Sequence, residues 1–146
     1  MFKLISNMLL ITLPCVLLAI PDTTDVEKSF KERKSSSKTE EALRLSALGS
    51  LKHQHGNYEE ALEYYQNSLK IRKELGLKHT NSYANTLFLT SIAHHKVGKS
   101  CLAYTEIKEV IHIYNHIGNE IDGKVAEEEA KKTFLPACNE GKIALN

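Results

Sequence analysis

Seven histidines carry most of the chemistry available to this 146-residue chain. His112 and His116 stand four apart in a helical pattern, so both rings can face one metal ion. No Glu lies between them as in a zinc-protease helix, and the sequence offers no third ligand. The pair is read as polar-face or partly buried histidines. His94-His95 and His53-x-His55 are closer together, and helical neighbours at that spacing point apart, which makes them poor chelates. There is no glycine-rich phosphate loop, and no motif frames a Ser or Cys nucleophile. Glu127-Glu128-Glu129 is a solvated helix face. No catalytic residue, metal site or cofactor is expected, and the chain is not expected to be an enzyme.

Composition points the same way. The chain is 42% hydrophobic and 25% charged, ordinary for one globular domain, so a wholly disordered chain and a disulfide-dense scaffold are excluded. The formal net charge of +1 gives no electrostatic case for nucleic acid. Cys15 lies in an apolar run. Cys101 and Cys138 remain and permit one bridge, but without a cysteine framework they are read as free thiols.

Residues Met8 to Ile20 are nearly all apolar and follow Lys3, the pattern of a secretory signal peptide. Removing residues 1–20 leaves 18 basic and 18 acidic residues, a formally neutral chain. A secreted protein is the leading expectation. The alternative is an uncleaved anchor: residues 4–20 number 17, the lower limit for a spanning helix, and Pro14 interrupts them. The cations that follow, from Lys28 to Lys38, would then hold the helical domain in the cytosol. A third alternative is that the segment is not a targeting signal. No Asn-x-Ser/Thr acceptor occurs for N-glycosylation.

The elements follow from punctuation and periodicity. Residues 21–38 form a polar linker with a short helical pattern around Val26 to Arg33. Ser37 and Glu40 make a capping box for a helix carrying Leu45, Leu48 and Leu51. Gly56 ends it, Asn57 caps the next, and Gly76 ends that one. Helices from about Ser82 to Val97 and Ser100 to Ile117 follow, stopped by Gly98 and Gly118. A last helix, about Asp122 to Phe134 with Asp122 as cap, stops before Pro136, leaving 136–146 as a tail. No stretch alternates with period two, so no strand is expected.

The pattern repeats. Gly56 and Gly98 are 42 residues apart, as are Ala61 and Ala103, Leu45 and Leu87, and Leu69 and Ile111. Two helical hairpins at a fixed offset define a solenoid, in which each pair needs its neighbour to cover its apolar side. The run Leu45-x-x-Leu48-Gly49, Gly56-Asn57-Tyr58-Glu59-Glu60-Ala61-Leu62 and Tyr65-x-x-Ser68-Leu69 resembles a tetratricopeptide repeat. It departs from that family at Lys52, usually Tyr, at Ser68, usually Ala, and at Lys73, where a closing Pro is common. The second copy keeps Gly98 and Ala103, but Thr90-Ser91 replaces Leu-Gly and Ile107 replaces the aromatic. The 42-residue stride is similar to the long hairpins of kinesin-light-chain-like scaffolds.

The resemblance implies an all-α domain over 39–135: repeats at about 42–75 and 84–117, and a capping helix at 122–134. In that family the first helix of each hairpin lines a concave groove. The matching positions here are Leu43, Ser46, Ser50 and His53, then Asn85, Phe88, Ile92 and His95. Such a mixed surface suits an extended or helical peptide. Ser46 and Ser50 replace the Lys and Asn pairs that clamp a chaperone's C-terminal carboxylate in some relatives, so that ligand is disfavoured. Apolar periodicity alone leaves Phe88 and Ile92 open between groove and core. The expected function is protein or peptide binding; the alternative is a self-associating structural fragment, because two repeats fall short of the three usually needed for stability. Membrane contact is expected only if residues 1–20 remain as an anchor.

Overall fold

The computed structural model describes residues 24–143, all helix and connecting turn, with no strand among them. The signal or anchor assigned to residues 1–20 lies outside the described residues. Helix α1 spans Thr24–Glu32, α2 Lys38–Gln54, α3 Tyr58–Glu74, α4 Asn81–Lys96, α5 Ser100–His116, α6 Glu120–Glu129 and α7 Leu135–Ile143. A π-helical turn, Ala130–Phe134, joins α6 to α7. No helix among the described residues is long and apolar enough to cross a membrane.

The stride is built into the helix ends. Helices α3 and α5 begin and end 42 residues apart, and α1 ends 42 residues before α3. Gly56 and Gly98 both hold a positive φ, 76° and 80°, and Gly76 and Gly118 repeat the device. That conformation carries little penalty without a Cβ, and it lets the chain reverse and satisfy the last carbonyls of the helix. After α2, Gly56 N–H donates to His53 O and Asn57 N–H to Lys52 O; after α4, Gly98 and Lys99 donate to His95 and His94. Asn57 therefore serves the helix before it through its backbone, and its side chain does not cap α3.

Other caps differ from expectation by a residue or more. Ser37 Oγ accepts from Glu40 N–H at 3.1 Å, as a capping box requires. The Glu40 carboxylate, however, takes Ser36 N–H (2.7 Å) and Ser36 Oγ–H (2.6 Å). The last hairpin is capped by Asn119, whose side chain accepts from the Asp122 N–H, so Asp122 is the residue capped.

Helices α2 and α3 form one hairpin, α4 and α5 the next. The core joins α3, α4, α5 and α6 through Leu69, Tyr83, Leu87, Ala103, Ile107, Val110, Ala126 and Phe134. Burying a side chain such as Ile107 completely contributes about 1.5–3 kcal/mol. Small residues set the helix separations. Ala61 and Ala103 are fully buried at the stride, and so are Ala84 and Ala126, with Ala42 at 1% exposure.

Helix α1 packs on α2, so residues 24–32 of the stretch read as linker form a helix docked on the domain. Arg44 donates to Phe30 O at 3.1 Å. Lys52 reaches Glu27 at 3.0 Å and Glu60 at 2.9 Å, tying three helices together where the family's Tyr would stand. Ser68, also a departure, is fully buried: its Oγ donates to Ala42 O at 2.7 Å and lies 2.7 Å from Ser46 Oγ. Both substitutions are polar links to partners on neighbouring helices.

The stretch read as a tail is helical through Ile143. The π-turn bonds Leu135 N–H to Ala130 O, five residues back. This re-registers the backbone so that Pro136, without an N–H, falls in the first turn of α7. A disulfide between Cys101 and Cys138, Cα atoms 4.5 Å apart, fixes α7 to α5. The free-thiol reading is thus replaced by a bridge that no periodicity announces.

Candidate functional site

The eight groove positions separate into two sets. In the first repeat the polar ones turn inward. Ser46 Oγ lies 2.7 Å from Ser68 Oγ and 3.2 Å from Thr86 Oγ1. Ser50 Oγ donates to Ser46 O at 3.0 Å and receives the Tyr65 hydroxyl at 3.4 Å. His53 sits edge-on to Tyr58, with ring centroids 5.1 Å apart, and its buried Nδ1 has no hydrogen-bond partner among the described residues. Burial, with Lys96 nearby, holds its pKa below the ordinary 6.5. Leu43 alone of this set is prominent to solvent, 53% exposed.

The second repeat opens a cleft. Asn85 is exposed, and its Oδ1 accepts from the Tyr114 hydroxyl at 2.7 Å. Phe88 and Ile92 are half-buried and pack against the core, so they serve both surface and interior. His95 is drawn toward the last helix: its Nδ1 is 3.0 Å from Ser100 Oγ and its ring 5.3 Å from that of Phe134. Asn85 and Phe88 line a cavity of about 260 Å³ together with Leu89, Tyr114, Asp122 and Val125. It lies between the first helices α4 and α6, with Tyr114 contributed by α5. Burial and Asp122 push the Tyr114 pKa up to about 12, so the phenol stays protonated.

Four of those six lining residues were not legible as a site. Leu89 adjoins Phe88 but falls outside the strict repeat register. Asp122, Val125 and Glu129 share one helical face at spacings of three and four. That stripe is the signal the sequence carries for the α6 side of the cleft.

The other chemistry is structural. His94 and His95 point apart, as adjacent helical residues do: His94 is buried with Nδ1 2.7 Å from Glu106 Oε2. Burial raises the Glu106 pKa, opposed by that His94 bond. His79, from the loop after α3, brings its ring within 5.3 Å of His116, which stacks on His112 at 6.4 Å. Among the described residues no group of three His, Cys, Asp or Glu is arranged to hold a metal ion.

The fold is that of a helical-hairpin repeat protein, in which successive helix pairs stack. The tetratricopeptide repeat family model matches residues 39–101, which take in α2, α3, α4 and the start of α5, and that segment belongs to the family. Neither the curated proteins nor the solved structures gave a match. Tetratricopeptide repeats are generally protein-interaction modules and typically non-catalytic scaffolding, which supports a protein-binding role for this chain.

Proposed function

We propose that the chain is a non-enzymatic module that binds an extended or helical peptide of a partner protein along the face of α2, α4 and α6. The observation that carries this reading is the cleft between α4 and α6. Its walls are mainly apolar and come mostly from α4 and α6, the first helices of successive hairpins. Leu43, 53% exposed, adds an apolar side chain on α2. Polar groups that would compete for a ligand in the first repeat are already bonded inward.

The test is a peptide-display selection on the purified domain, followed by Kd measurement on the wild type and on Val125→Glu. Val125 is 55% exposed, so the variant keeps its core. The reading expects Kd to rise about tenfold or more, equivalent to about 1.4 kcal/mol, with unchanged helicity. Selected peptides that bind the variant equally well would refute it.

The same proposal takes the protein to be secreted, with residues 1–20 removed as a signal. The Cys101–Cys138 bridge supports export, because disulfides persist in oxidising compartments and are rare in the cytosol. It weighs against an anchor holding the domain in the cytosol. N-terminal sequencing of the protein from its native source tests this: a start near Pro21 supports it, and an intact Met1 on a membrane-bound chain refutes it.

A further inference from the structure

We propose that the α4–α6 cleft takes a bulky apolar side chain of a peptide in which the adjoining residue is basic. This rests on the binding-face reading above and specifies the partner's chemistry. At about 260 Å³ the cleft lies below the range of about 300–1,000 Å³ usual for small-molecule sites. It accommodates one side chain of a larger ligand better than a whole metabolite. Phe88, Leu89 and Val125 supply apolar walls.

The polar groups at the cleft decide the neighbour. Tyr114 already donates its hydroxyl to Asn85 Oδ1, which leaves the Asn85 amide N–H groups as donors for a peptide carbonyl. Asp122 lines the cleft as a carboxylate. One of its oxygens accepts from Asn119 at 2.7 Å, and it has no cationic partner among the described residues. Glu129, seven residues along the same face, is also outside any ion pair there. Its neighbours Glu127 and Glu128, by contrast, pair with Lys131 and Lys132. The α6 wall therefore presents Asp122 beside the apolar slot and Glu129 farther along the same face, neither in a direct ion pair among the described residues, although Glu129 helps to raise the Lys132 pKa. A Lys or Arg next to the anchor meets an attractive field, and an Asp or Glu meets repulsion.

The experiment uses fluorescein-labelled Gly-Ser peptides carrying a central Leu-Arg or Phe-Arg pair, compared by anisotropy with Leu-Glu, Phe-Glu and Ala-Arg. The expected result is at least tenfold tighter binding of Leu-Arg or Phe-Arg than of either comparison set. That advantage should shrink severalfold in Asp122→Asn and in Glu129→Gln, and as salt rises from 50 to 500 mM. Asp122→Asn is isosteric and leaves its backbone bond to Asn119 in place, so far-UV helicity should not change. Equal Kd values for Arg and Glu peptides, with Val125→Glu still weakening both, would overturn the charge preference and leave the binding face standing. Failure of every peptide to bind would overturn both.

Discussion

Gly49 packs directly beneath the ring of Tyr65: a Cβ built on Gly49 falls 2.6 Å from both Cδ1 and Cε1 of that ring. Forty-two residues on, the same crossing of α4 and α5 holds Ser91 and Ile107, both fully buried. The two copies thus solve one packing problem in opposite ways. An aromatic on the second helix requires a glycine on the first, while a shorter branched side chain leaves room for a serine. Ser91 Oγ then donates to Phe88 O at 2.7 Å and needs no other partner. Replacing Gly49 by Ala should destabilise the domain by about 1–3 kcal/mol, the usual cost of overpacking. Adding Tyr65→Ile should recover a substantial part. A urea double-mutant cycle measures the coupling, and strictly additive effects would contradict this packing.

The Cys101–Cys138 bridge closes a loop over a sequence separation of 37, which in the chain-entropy treatment is worth about 4 kcal/mol. Reduction, or Cys138→Ser, should lower the unfolding midpoint and speed amide exchange in α7 first. Protection in α2 and α3 should fall less, because neither packs against α7. Equal loss across all helices would mean that α7 does not act as a separately tethered element.

Acid should loosen the N-terminal side of the domain. Arg44, followed by the Ser35 hydroxyl, holds the Glu41 pKa down at about 2 from an ordinary 4.5. A folded-state pKa below the unfolded value adds stability that is fully present above about pH 4.5. It is lost as pH falls from there toward 2. Glu41→Gln should therefore be less stable than wild type at pH 7, with the difference closing near pH 2. Urea titrations at pH 7, 4 and 2.5 check the sign, and a gap that widens in acid would be contrary to it.

The C-terminal half-repeat argues against end-to-end stacking. Positions that in α4 bury Leu87, Thr90 and Ser91 against α5 recur at the stride as Glu129, Lys132 and Thr133. A second helix from another copy would find no apolar seat there. Sedimentation should give one mass on dilution from about 100 to 1 µM, within the range where weak assemblies dissociate. A mass that falls on dilution would support the self-associating reading instead.

Much of the scaffold was legible because its signals are local. Gly56, Gly76, Gly98 and Gly118 stand where the structure ends α2, α3, α4 and α5. Their spacing, with the buried alanines, sets the stride. What escaped depends on contacts distant in sequence. Nothing near Lys52 says that Glu27 will meet it, so α1 appeared to be linker. Pro136 is a stop signal that a π-turn cancels. Ser46 and Ser50 look like ligand hands on a helical wheel, yet Ser68, Thr86 and Tyr65 claim them. The cleft is not legible in the two groove helices alone, because half its lining comes from α5 and α6.

The stacking of like hairpins is most directly tested by trapping. Ser46 on α2 and Thr86 on α4 belong to successive repeats, and their hydroxyl oxygens lie 3.2 Å apart. The double variant Ser46→Cys, Thr86→Cys, mildly oxidised and mapped by mass spectrometry, should yield a 46–86 crosslink while keeping 101–138. Unmodified thiols at 46 and 86 in a folded, helical protein would mean that the two first helices are not neighbours, and the stacked arrangement would fall with them.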